Sequence, residues 1–385
     1  MTEQNANRPM IAHAEGRKAT WFELFFDLVF VTAVAALSSR FGAHFGLAGA
    51  AEFTFLFFVL WWLWLGHTFY ATRFDEDRQR QRITGFAQML AIVLVAYGAG
   101  DAFGERTAAF ALGVAAFKLL LSLSWLTEYR RAGLGRLIGL YTGLYLIQGL
   151  VWAGSLFADP ETRLLMWAAA FILDLVSPFV VAKEIWRAPP HPEHLPERFG
   201  LFSIILLGET VASAAHGLDH AGPLTSEGLA VAASGALLAF LFWAGYFHRA
   251  RGAAQRHVTD AEASAKLRLW AYGHMPLYLG IAGLAAGTLF LAHHTVPHGA
   301  EPWLYSCAAA LAMIGVTLVS MSSRPGMSSL TSTGPYFAIA LLTALCGAVG
   351  LRLGAPTMGF CIAGLACLQI AVSVKVQFSR ARDLM

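Results

Sequence analysis

Charge is scarce in this chain. Only 13% of its 385 residues are Asp, Glu, Lys or Arg, and 57% are hydrophobic. A soluble globular chain carries about 25% charged residues. This one is therefore solvated mainly by lipid. Cysteine is nearly absent as well, with four residues, Cys307, Cys346, Cys361 and Cys367, all in apolar stretches and none in a Cys-x-x-Cys pair. That pattern argues against a disulfide framework or a thiolate metal site and for small buried side chains. No Gly-Lys-Ser/Thr phosphate loop occurs, so an ATP-driven pump is not expected, and no nucleophile elbow is present. The net charge of +3 is too small to suggest a nucleic-acid partner. Met1 to Lys18 is polar and lacks an apolar core before a small-residue cleavage site, so no cleaved signal peptide is expected.

Long apolar runs are what the chain has instead. Spans are expected near 20–41, 47–71, 83–103, 107–129, 137–158, 163–187, 197–216, 225–247, 267–292, 302–321, 333–352 and 356–377, each close to the length that crosses a bilayer. The fold class is all-α, a polytopic bundle of about 12 spans. Of the 27 Lys and Arg residues, Arg40, Arg106, Arg163 and Arg352 fall on one side and Lys118 within a span; the rest lie on the other side. Basic loops stay in the cytoplasm, which predicts both termini inside and a multi-pass place in the inner membrane. No loop is long enough for a soluble domain, although a surface helix is expected between His248 and Lys266.

A faint duplication aligns Phe22–Val29 with Phe199–Leu206 and Trp64–Arg73 with Trp243–Arg251. It suggests two parallel six-helix halves. The expected organisation is a tail at 1-19, a first half at 20-187, a second half at 188-377 and a tail at 378-385.

Against this background the buried ionisable residues stand out. Glu23 and Asp27 lie one turn apart in the first span. Thr20-x-x-Glu23 reads as a capping box, in which the glutamate satisfies exposed N–H groups at the helix start. Asp27 has no such local role. A carboxylate at a span centre costs roughly 2.5–3.5 kcal/mol on insertion scales, so it needs a partner. Arg198, in His194-Leu-Pro-Glu197-Arg198, is the first choice, because its planar fork matches a carboxylate. His67 and His274 fall at a similar depth. Nearer the midplane come Glu209, Asp174, Lys118 and Gln148, with Lys118 paired to Asp174 or Glu209 as the simplest arrangement.

The pathway candidates are thus Asp27, His67, Asp174, His194, Glu197, Arg198, Glu209 and His274, with Glu23, Lys118 and Gln148 secondary. His194 and Glu197 at i and i+3 are a weak metal signal, and Arg198 beside them would repel a cation. The histidines His216, His220, His293, His294 and His298 fall in the external loops and read as a solvated surface. No metal or cofactor is expected.

The motifs Trp21, Glu23-Leu-Phe-Phe-Asp-Leu-Val-Phe-Val31, His194-x-x-Glu-Arg-Phe-Gly-Leu-Phe-x-Ile-Ile-x-Leu-Gly-Glu209 and Tyr272-Gly-His-Met-Pro276 resemble the low temperature requirement A (LtrA) family. The resemblance covers essentially the whole chain. It implies a multi-pass bacterial inner-membrane protein and does not supply a substrate.

Three functions remain open from the sequence. The leading one is a proton-coupled transporter or ion pathway acting on a proton, a cation or a small molecule. The alternatives are a non-catalytic membrane sensor or scaffold, and a membrane enzyme with a His/Glu/Asp metal or cofactor site. Membrane lipids are partners in every case, and oligomerisation is compatible with each.

Overall fold

The structure is a computed structural model that describes residues 19–74, 79–130, 134–182, 184, 188–219, 224–250, 261–323 and 330–383. His220 and the central part of the expected 248–266 surface helix lie outside these residues. Among the described residues there are twelve α-helices and no strand. They are α1 (Trp21–Ala43), α2 (Leu47–Phe74), α3 (Gln79–Ala99), α4 (Thr107–Thr127), α5 (Gly135–Gly154), α6 (Pro160–Val180), α7 (His194–Asp219), α8 (Ser226–Ala250), α9 (Ala261–Leu291), α10 (Glu301–Ser323), α11 (Leu330–Leu345) and α12 (Gly347–Asp383). Eleven of these are long and apolar enough to cross a membrane. The chain is a polytopic helical membrane protein.

Its outer faces agree. Phe86, Leu90, Val93 and Tyr97 on α3 are exposed, as are Leu164, Leu165, Ile172 and Phe179 on α6. Such surfaces are stable against lipid tails and not against water.

One expected span differs. Helix α11 stops at Leu345 and α12 begins at Gly347, so the continuous segment expected over 333–352 is broken. A Cβ at Gly347 would lie 2.7 Å from the Trp303 ring. A second break follows at Gly354, whose φ of +84° interrupts the helical conformation inside α12. L-residues with side chains resist that conformation, and glycine does not. The N–H of Ala355 then donates to the Thr295 carbonyl at 2.8 Å.

The helices divide into two compact units. The first holds α1 through Leu37, α2 from Leu56, α3 to α6, α7 through Leu201 and the start of α9 through Leu267. Within it α3, α4, α5 and α6 pack in chain order. Asp159 starts α6 by accepting the N–H groups of Glu161 and Thr162, with Pro160 at the first helical position, where no N–H is needed.

The second unit holds the end of α1 from Ser38, the start of α2 through Phe55, α7 from Phe202, α8, α9 from Arg268, and α10 to α12. In it α8 packs against α10 and α12. Helix α9 approaches α10 through glycines: a Cβ at Gly280 would meet the Ala308 carbonyl at 2.5 Å, and one at Gly287 the Tyr305 ring at 2.5 Å. Small residues allow this close contact, which drives helix association where lipid offers no hydrophobic gain.

Candidate functional site

The first unit contains a buried polar cluster built from the starts of α1 and α7 and the middle of α2. Thr20 and Glu23 form a reciprocal cap on α1: the Thr20 N–H donates to Glu23 Oε2 at 2.8 Å, and the Glu23 N–H to Thr20 Oγ1 at 3.2 Å. On α7 the cap comes from a histidine. His191 Nδ1 accepts from the N–H groups of Glu193 and His194, both at 3.2 Å. These two caps fix where each helix begins, and so which turns face each other.

Facing turns carry the charges. Arg198 Nε donates to Asp27 Oδ2 at 2.8 Å and Nη2 to Asp27 Oδ1 at 2.5 Å. Its remaining nitrogen, Nη1, reaches Glu23 Oε1 at 3.3 Å. His194 Nε2 lies 3.1 Å from Glu23 Oε2, and the Trp64 indole N–H donates to Asp27 Oδ1 at 2.8 Å. Glu197 bonds elsewhere, accepting the Ala19 N–H at 2.8 Å. Asp27, Arg198 and His194 are wholly buried, and Glu23 is 2% exposed. A buried guanidinium that meets one carboxylate with two nitrogens and a second with its third has the two-pronged geometry that makes such bonds strong.

The charge count decides what the cluster can do. Two ionised carboxylates and one guanidinium leave one net negative charge, which is costly inside a bilayer. One positive charge on the Glu23–His194 pair would make the group neutral.

His67 sits beside it. Its ring stacks on Phe26 with centroids 3.7 Å apart, and Nδ1 bonds Gln88 Oε1 on α3 at 2.8 Å. A carbonyl oxygen can only accept, so the Nδ1 carries the hydrogen.

A second cluster in the same unit joins α4, α5 and α6. Lys118 Nζ donates to both Asp174 oxygens at 2.8 and 2.9 Å and to Gln148 Oε1 at 2.9 Å. All three residues are buried. This group is neutral as it stands. Pro178 lacks the N–H that would bond the Asp174 carbonyl one turn earlier. The Ser177 hydroxyl donates to that oxygen at 2.8 Å instead.

Two candidates lie in the second unit. His274 is buried, with Nδ1 donating to the Trp270 carbonyl at 2.8 Å and Nε2 2.9 Å from the Tyr246 hydroxyl. Since Nδ1 carries the hydrogen, Nε2 of the neutral ring accepts the tyrosine O–H. Pro276 follows within α9 without ending it. Glu209 is half-buried on α7, with the Ser213 hydroxyl 3.5 Å away on the same helix. Among the described residues no group of three His, Cys, Asp or Glu side chains is placed to hold a metal.

The sequence model of the bacterial low temperature requirement A protein (LtrA) family matches residues 18–372, which includes every residue of both clusters. The chain belongs to the LtrA family. It is also 30% identical over 366 residues to "Uncharacterized protein RA0937" of Rhizobium meliloti (strain 1021), covering 89% of this chain and 86% of that protein. No solved structure matches the chain.

In this LtrA protein the sequence motifs around Glu23 and Arg198 are the two sides of one site. Three contributors escaped sequence reasoning. Trp64 and Gln88 are neutral and merge into apolar runs, and His191 acts through an N-terminal cap that only the turn before α7 creates. The prolines at 189, 190 and 192 were the one available sign of that turn.

Proposed function

We propose that this LtrA protein is a proton-coupled transporter or ion pathway of the bacterial inner membrane, with both termini in the cytoplasm. The observation that carries the reading is the sharing of Arg198 between Asp27 and Glu23, with His194 on the second carboxylate. Loading or unloading one proton there changes the net charge inside a span. Intramembrane carboxylates that exchange protons against an arginine are the working parts that proton-driven carriers require. Glu209, half-buried on α7, is the second protonatable station in this reading.

The test is proton flux in proteoliposomes under an imposed pH gradient. Flux is expected to vanish in Asp27→Asn and in Glu209→Gln. Parent-level flux in both variants removes the reading.

A sensor or scaffold is the second reading, and the buried Lys118–Asp174 ion pair, whose ammonium also donates to Gln148, favours it. A variant that exchanges Asp27 and Arg198 and keeps its function would select it, since only a structural pair tolerates inversion.

A further inference from the structure

A cavity enters the first unit beside the charged cluster. Its interior offers about 30 Å³ to water, and one water needs roughly 10–15 Å³ by that measure, so about two or three fit. Its lining is graded. Arg80, Arg82 and Thr84 on α3 are exposed or half-buried, whereas Gln88, His67 and Glu23 are buried. The cavity thus runs from a polar surface to the Glu23 carboxylate.

Gln88 gives the interior its chemistry. Its Oε1 is occupied by His67, while its Nε2 is buried with no hydrogen-bond partner among the described residues. A buried donor left unsatisfied costs about 1–3 kcal/mol. In a cavity large enough for water, a bound water removes that cost. His67 is held in one orientation by the Phe26 stack and the Gln88 bond. With its hydrogen on Nδ1, the neutral ring keeps its other nitrogen as an acceptor.

We propose that this cavity is a hydrated port: a short file of water, anchored on Gln88 Nε2, that runs from the Arg80–Arg82 surface to Glu23. Gln88 and His67 are its positioning residues. Resting on the transport reading above, the port is the route by which a hydronium ion passes its proton along the file to the Glu23–His194 pair and leaves neutral water behind. The charged groups around the receiving carboxylate are Asp27 on its own helix and Arg198 and His194 on α7, with Arg80 and Arg82 at the outer end and Glu128 3.9 Å from Arg80.

Hydroxyl-radical footprinting of the full chain tests the port without any substitution, because radicals made from bound water attack the side chains beside it. His67 and Tyr70 line the cavity, whereas Trp64 is fully buried and bonds Asp27. The expected result is oxidation of His67 and Tyr70 several-fold faster than Trp64. Rates no higher than that of Trp64 overturn the port. In Gln88→Leu, which keeps the volume and removes the anchor, the labelling of His67 and Tyr70 is expected to fall to the Trp64 level; undiminished labelling overturns the role of Gln88. Rapid labelling in a chain that carries no proton flux would retire the transport reading and leave the port. Slow labelling in a chain that does carry flux would retire the port and leave the transport reading.

Discussion

Arg198 holds Asp27 by two nitrogens on two oxygens, at 2.8 and 2.5 Å, with neither side chain touching solvent. Both charges were removed from water to make this pair, so each depends on the other.

Arg198→Met is therefore expected to be severe. It strands two buried carboxylates, and breaking a buried pair costs about 3–5 kcal/mol. Arg198→Lys keeps the charge and loses the fork, so its loss should be smaller. Thermal unfolding in detergent, followed by tryptophan fluorescence, gives the order parent, Lys, Met. A Met variant as stable as the parent would show that the pair does not hold α1 to α7.

Trp64→Phe isolates the indole contribution. The Asp27 oxygen that loses the N–H keeps Arg198 Nη2, so the expected cost is about 1.5–3 kcal/mol, the usual contribution of a hydrogen bond to a charged group. The same melting measurement reads it, and Trp64→Leu should cost more because the edge-to-face contact with Phe199 also disappears.

The Lys118 group is predicted to be structural. Lys118→Met alone leaves Asp174 unpaired and should destabilise by about 3–5 kcal/mol. Adding Asp174→Leu should restore most of that loss, as a double-mutant cycle would reveal. Proton flux in the double variant is expected to equal that of the parent. Flux lost while stability is regained would place this group on the pathway.

Gly354→Ala tests the break in α12. A Cβ there is strained at φ +84° and meets the Thr295 carbonyl at 3.1 Å. With ψ at 170° this is an extended conformation at positive φ that essentially only glycine adopts, and a side chain there costs about 1–3 kcal/mol. The variant should melt earlier than the parent. An unchanged melting temperature would mean that the break is not obligatory.

Legibility in the sequence followed charge. Asp27 could not be left unpaired in lipid, which pointed to Arg198, and the Thr20–Glu23 spacing announced its cap. The same logic narrowed the partner of Lys118 to Asp174 or Glu209, and the structure pairs it with Asp174. Neutral hydrogen-bonding groups gave no such warning: Trp64 and Gln88 cost nothing visible in a hydropathy profile, and their roles depend on which helix faces them. His274 shows the limit of counting depth along single helices. Depth alone does not name neighbours, and its partners are Tyr246 and the Trp270 carbonyl in the second unit. The broken span near Cys346 was hidden for a similar reason, since hydropathy does not register the Trp303 ring against Gly347.

The spacing of the charged ladder has one more implication. Glu23 and Asp27 are four residues apart on α1, and His194 and Arg198 are four apart on α7, with His194 against Glu23 and Arg198 against Asp27. Equal steps on two helices put the four charged groups in register, and Arg198 bridges both steps, with Nε and Nη2 on Asp27 and Nη1 on Glu23 at 3.3 Å. A change that shifts the start of either helix by one residue turns one member of each step, about 100° around the axis, away from its partner, so the two helix caps and the charged ladder stand or fall together.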